Sequence, residues 1–234
     1  MNALDEKSYD ELWLATEDVR DDHEIRAVII SGTGRAFCAG LDLKYGEEMT
    51  KLPPQEFRER LRKIQETFRL EKPLIAAVNG YALGNGCDLA LACDFRIASE
   101  SARFGMTYTQ LGLIPDVGGA CRLIRLVGVS KAKEPVLIGY MIDAKEAQRI
   151  GMVDKVVPAE DLDSAALDLA KKLAKGAPMA IGLSKTAINT ALDTNLKTAL
   201  EFDLDAQTLC FQSEDAREGM MARAEKREPI FKGS

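Results

Sequence analysis

Apolar residues alternate between short runs and helical spacing over the first half of the chain, then settle into helical spacing alone. Ser8, with Glu11 three residues on, reads as a capping box for a first helix carrying Leu12, Leu14, Ala15 and Val19. Arg26 to Ser31 is a β-branched run closed by Gly32-Thr33-Gly34, which predicts a buried strand feeding a loop that continues to about Lys44. Pro53 and Pro54 open a charged helix in which Phe57, Leu61, Ile64 and Phe68 share one face, and Pro73 ends it. Leu74 to Val78 predicts a second strand, followed by the turn Asn79-Gly80 and by Gly84-Asn85-Gly86 at the head of an apolar helix. Phe95 to Ala98 and Arg103 to Gly105 complete the strands, so this half carries the signature of a parallel α/β sheet.

From Gly119 the pattern predicts helices at 119–127, 130–138, 143–149, 161–175, 178–192, 196–211 and 214–225, with Val153 to Val157 a lone strand between them. There is no internal repeat and no flexible linker, which points to helices packed on the sheet or on a neighbouring subunit.

Two glycine-containing turns follow two different strands, and in an open parallel sheet such strand ends share a ligand crevice. The residues concerned are Gly32 to Asp42 and Asn79 to Asp88. Small residues there let backbone N–H groups approach a ligand, and the head of the 85–93 helix adds unsatisfied donors. One amide from each turn makes a site for a developing oxyanion; tight turns alone explain the same glycines equally well. A dinucleotide site is excluded because the third glycine position holds Phe37 in one turn and Leu89 in the other, and neither turn has the Gly-Lys-Ser/Thr of a phosphate loop.

Charge narrows the function further. A net charge of −6 over 234 residues has the wrong sign for neutralising phosphate backbones, which argues against nucleic acid as a partner. A single histidine, His23, removes multi-histidine zinc sites and Ser-His or Cys-His nucleophiles, so no metal is expected and carboxylates and amides remain as catalytic tools. Cys38, Cys87, Cys93, Cys121 and Cys210 contain no C-x-x-C pair and read as reduced, packed thiols of a cytoplasmic protein. No apolar run reaches the roughly 18 residues of a membrane span.

Four segments in order, Arg26 to Lys44, Pro73 to Ala98, Leu111 to Leu126 and Ser213 to Gly233, resemble the crotonase superfamily of enoyl-CoA hydratases and isomerases. The resemblance implies an α/β fold with a spiral β/α core over 1–175, from which the family's first strand is missing before Asn2, and a helical trimerisation region over 176–234. It implies a homotrimer or dimer of trimers, and an acyl-CoA substrate whose coenzyme A is part of the substrate, so no separate cofactor is expected. The backbone N–H groups of Leu41 and Asn85 would hold the thioester oxygen, where loss of an α proton places negative charge. Arg35, Ala39, Lys226, Arg227, Phe231 and Lys232 are the candidates for the CoA moiety, as cations for phosphate or a surface for adenine.

The acid/base positions depart from the hydratases the chain resembles, which use glutamates where it has Asp88 and Tyr108. A phenol with an ordinary pKa near 10 donates a hydrogen bond but is a poor base at neutral pH. Asp116, in Ile114-Pro115-Asp116-Val117, matches the acid of several isomerase branches, and desolvation among Ile114, Val117 and acyl chain would raise its pKa. Read without the family it is an N-cap or turn residue. Double-bond isomerisation by Asp116 is therefore the leading expectation. Hydration through Asp88 and Asp116 is the alternative, and a non-catalytic scaffold the reading from another class. Asp42 and Asp94 are expected to be structural.

Overall fold

The computed structural model describes residues 1–67 and 69–234. The elements in chain order begin with β1 (Ala3–Leu4), α1 (Glu6–Asp21), β2 (Val28–Ser31), β3 (Ala36–Cys38), β4 (Gly40–Leu41), α2 (Leu43–Met49) and α3 (Pro54–Glu66). Next come β5 (Leu74–Val78), β6 (Tyr81–Leu83), α4 (Asn85–Ala92), β7 (Phe95–Ser99), β8 (Arg103–Gly105) and a 3-10 turn at Thr107–Leu111. The remainder is α5 (Gly119–Ile138), β9 (Met141–Asp143), α6 (Ala144–Arg149), β10 (Lys155–Val157), a 3-10 turn at Ala159–Asp161, α7 (Leu162–Ala174), α8 (Pro178–Ala191), α9 (Leu196–Gln212) and α10 (Glu214–Glu225).

Three small sheets result, ordered β10-β7-β5-β2, β3-β6-β8-β9 and β1-β4. The β10-β7, β7-β5, β3-β6, β6-β8 and β1-β4 pairings are parallel, and β8-β9 runs antiparallel. All five residues of β5 are buried, which is why Leu74 to Val78 is uniformly apolar instead of alternating. Asp94 holds the start of that strand by accepting the Leu74 N–H at 2.7 Å, and Asp42 caps α2 by accepting the Lys44 and Tyr45 amides. Both aspartates are structural, as expected.

Other expectations need correction. The first helix is capped by Asp5, whose Oδ1 accepts both the Ser8 N–H and the Ser8 hydroxyl, because the helix starts at Glu6 and leaves Ser8 inside its first turn. The stretch 32–44 is not a continuous loop. Ala36-Phe37-Cys38 is fully buried as β3, β4 follows it, and three apolar residues are too few to show a period. The two helices expected at 119–127 and 130–138 are present as one element kinked at Gly128, whose φ of 78° breaks the helical path. Of the face expected on α3, Ile64 is buried, and Phe68 lies outside the described residues. Cys38, Cys87 and Cys93 are buried, as expected, but Cys121 is exposed.

Two compact units divide the chain: residues 1–19, 29–69 and 74–167 form the first, and residues 20–28, 70–73 and 168–234 form the second. In the second, Arg26 donates to the Ala174 and Phe231 carbonyls, and buried Asp215 accepts the Lys232 and Gly233 amides. These bonds pin the C-terminal tail. Among the described residues no helix is long and apolar enough to cross a membrane.

Candidate active site

Gly40 and Gly86 bring the two glycine turns of the first unit together. At φ +89°, Gly40 runs so close to the other turn that a Cβ on it would sit 2.5 Å from the Leu83 carbonyl oxygen and 3.3 Å from the Asn85 nitrogen. A Cβ on Gly86 would overlap the Cys38 carbonyl. Only hydrogen fits at either position, and this is the tertiary reason for both glycines. Asn85 is the first residue of α4, so its N–H has no acceptor within the helix. Leu41 follows Gly40 at the end of β4. The Leu41 and Asn85 amides thus come from strand ends packed against each other, an arrangement able to hold an oxygen that gains negative charge.

Asp88 lies one turn into α4 and is 0% exposed. The Tyr108 hydroxyl donates to its Oδ2 at 2.7 Å, while its Oδ1 has no hydrogen-bond partner and packs where a Cβ on Gly119 would be. Burial raises its pKa to about 6 against the lowering effects of Tyr108 and of Arg122. Tyr108 is pushed far above its ordinary value by burial and by the neighbouring Asp88 charge, so it is a hydrogen-bond donor throughout the physiological range.

Asp116 sits in the loop before α5, half-buried, with Oδ1 unpartnered. Its pKa is raised by burial, against the pull of its own amide and of the Asn85 side chain. Asp116 does not cap α5, whose N-cap is the left-handed Gly118. Ile114 does not wall it as expected, being 74% exposed, although Val117 is buried.

Of the CoA candidates, Arg35 and Ala39 belong to the first unit and Lys226, Phe231 and Lys232 to the second. Phe231 lines a cavity of about 490 Å³ with Met179, Cys210, Met220 and Arg223. Lys226 ends α10 in a left-handed conformation. Arg227 is already held by Glu218, at 2.6 Å, and by Glu225, at 2.7 Å.

Two neighbours of the site escaped the sequence reading. Arg122, on the first turns of α5, donates to the Val117 carbonyl at 2.5 Å and acts on the Asp88 charge. Tyr9, on α1, is buried in contact with Tyr45 of α2 and feels the charges of Asp116 and Asp88. Its period with Thr16, also buried on α1, was the available signal, obscured because the inner face of that helix is not purely apolar.

Comparison with known proteins agrees with this architecture. A short-chain-enoyl-CoA hydratase of Clostridium acetobutylicum is 42% identical over 229 residues, covering 97% of this chain and 88% of the relative. A crotonyl-CoA hydratase of Syntrophomonas wolfei is 41% identical over 236 residues, covering 99% and 90%. The crystal structure of an enoyl-CoA hydratase from Bacillus anthracis superposes with a TM-score of 0.91 at 40% identity, covering 99% of this chain and 91% of that one. The family model for enoyl-CoA hydratase/isomerase matches residues 1–234. The chain belongs to the enoyl-CoA hydratase/isomerase family, within the crotonase superfamily.

Proposed function

We propose that this chain shifts the double bond of an enoyl-CoA thioester, with the carbonyl oxygen held by the Leu41 and Asn85 amides and Asp116 as the base. The observation that carries the reading is the contrast between the two aspartates. Asp116 lies in a loop and is only partly buried, whereas Asp88 is wholly buried with one oxygen bound to Tyr108 and the other against Gly119. One partly exposed carboxylate suits a reaction that needs one base.

Asp116 takes a proton from C2 of a 3-enoyl thioester, and the electron pair of that C–H bond moves to the carbonyl oxygen as an enolate. The enolate re-forms the carbonyl as the C2=C3 bond is made, and the proton held by Asp116 is delivered to C4. Nothing is gained or lost. Preorganised amides stabilise the enolate more than the neutral thioester, each being worth about 3–4 kcal/mol. Asp88 fixes Tyr108, and Asn85 orients Asp116 as well as donating its amide. Coenzyme A arrives with the substrate, and Arg35 and Ala39 of the first unit are the residues we place near it; Lys226, Phe231 and Lys232 of the second unit are candidates on the family resemblance alone.

Hydration is the second reading, favoured by the relatives named hydratases, with Asp88 and Asp116 positioning water. NMR of a 3-enoyl-CoA and of a 2-enoyl-CoA, each incubated with the protein in heavy water, separates the two. Isomerisation shifts the double bond of the 3-enoyl-CoA with no added oxygen, deuterium entering carbon as protonated Asp116 exchanges with solvent before it delivers its proton; a 3-hydroxyacyl product from the 2-enoyl-CoA, with the 3-enoyl-CoA unchanged, overturns it in favour of hydration. Asp116→Asn abolishes turnover under either reading and leaves a scaffold protein unaffected.

The same family membership leads us to infer a homotrimer or dimer of trimers. Leu196, Leu200, Leu204 and Phe211 are exposed along α9, an apolar face suited to self-association, and sedimentation equilibrium gives the subunit number. Five cysteines held as thiols suit the cytoplasm.

A further inference from the structure

β1 and β4 lie side by side in parallel, with Leu4 opposite Leu41, and each runs directly into a helix. The first turn of α1 carries Tyr9 and the first turn of α2 carries Tyr45, so the two rings meet, with centroids 6.3 Å apart, next to the oxyanion strand. They are not equivalent. The Tyr45 hydroxyl accepts from Arg60 at 3.4 Å, whereas the Tyr9 hydroxyl is buried, on a residue 7% exposed, with no hydrogen-bond partner. Arg60 itself is engaged by Glu6 and Glu56.

A phenolic O–H shut away from water without an acceptor is destabilising, and a phenylalanine would fill the same volume without that cost. The hydroxyl bonds neither Asp116 nor Asp88, although both charges act on it. It is therefore a buried donor without an acceptor, on the helix that follows β1 beside the oxyanion strand. We propose that Tyr9 is a specificity-determining residue whose hydroxyl donates to an oxygen atom on the acyl chain, so that the preferred substrates are oxygenated acyl-CoA thioesters rather than plain hydrocarbon ones. This rests on the acyl-CoA reading above and names the class of acyl group. A hydrocarbon chain leaves the donor unpaired in the complex; an oxygen-bearing chain satisfies it.

Calorimetric titration with hexanoyl-CoA, 3-hydroxyhexanoyl-CoA and 5-hydroxyhexanoyl-CoA tests this on the intact protein without any turnover. The wild type binds one of the hydroxylated ligands about tenfold tighter than hexanoyl-CoA, the value of one hydrogen bond to an otherwise orphaned donor. In Tyr9→Phe that preference disappears while hexanoyl-CoA binds at least as well. Which hydroxylated ligand wins places the oxygen at C3 or beyond it. No preference in the wild type, a preference that survives in Tyr9→Phe, or equal weakening of all three ligands overturns the proposal; the last outcome makes Tyr9 merely structural. Absence of binding by every CoA ester refutes the acyl-CoA reading itself, and failure of double-bond transfer with binding intact refutes only the isomerase assignment. Tyr9→Phe removes an atom with no partner, and a melting temperature at or above that of wild type verifies the fold.

Discussion

Replacing Asp88 by Asn separates the energetic cost of this carboxylate from its use. In the native protein its pKa is raised from 3.8 to about 6, chiefly by burial. Between those two values the folded state binds more protons than the unfolded chain, so stability falls as pH rises through that window. The favourable contribution is complete below about pH 3.8 and lost above about pH 6. A shift of about two units corresponds to about 3 kcal/mol. Asn is close to isosteric with the protonated acid and keeps an oxygen to accept the Tyr108 hydroxyl, so Asp88→Asn matches wild type near pH 4 and is about 3 kcal/mol more stable near pH 7.5. Urea denaturation of both proteins at the two pH values measures the difference, and other titrating groups cancel in the comparison. An equal effect at both pH values, or a variant less stable at pH 7.5, refutes the claim that desolvation dominates at this site. The second outcome assigns the leading role to Arg122.

Other outcomes follow from the same geometry. Tyr108→Phe leaves the buried Asp88 oxygen without its donor and costs about 1.5–3 kcal/mol of stability at neutral pH, less below pH 6 where the acid is protonated, read by the same denaturation experiment. Gly40→Ala drives a Cβ toward the Leu83 carbonyl and the Asn85 amide at a positive φ, so the amide pair separates and turnover drops by more than about tenfold even where the variant still folds, measured as kcat/KM. Asn85→Gly keeps the backbone donor and removes a group that lowers the Asp116 pKa, so the acid limb of the pH–rate profile moves to higher pH. Arg227→Ala breaks two exposed ion pairs and leaves the melting temperature essentially unchanged.

The long helices and buried strands were legible because each carries its own period or apolar run. α7 to α10 and β5 fall where the spacing puts them. Both glycine turns, and Asp116 and Asp88 as candidate acids, could also be named from local chemistry, with the family resemblance supplying their roles. The short strands β3, β4, β6 and β9 could not, since two or three residues hold no period and their pairing partners lie far along the chain. Tertiary structure decided what each acid can do. Asp88 and Asp116 are the same residue type, yet one is wholly buried against Tyr108 and Gly119 and the other is only partly buried, in a loop. It also decided that Tyr9 meets Tyr45, because the pairing of β1 with β4 brings the first turns of α1 and α2 together. A sequence specifies local propensity and the chemistry of each side chain. Burial, orphaned donors and shifted pKa values are properties of neighbours, and neighbours exist only once the chain has folded.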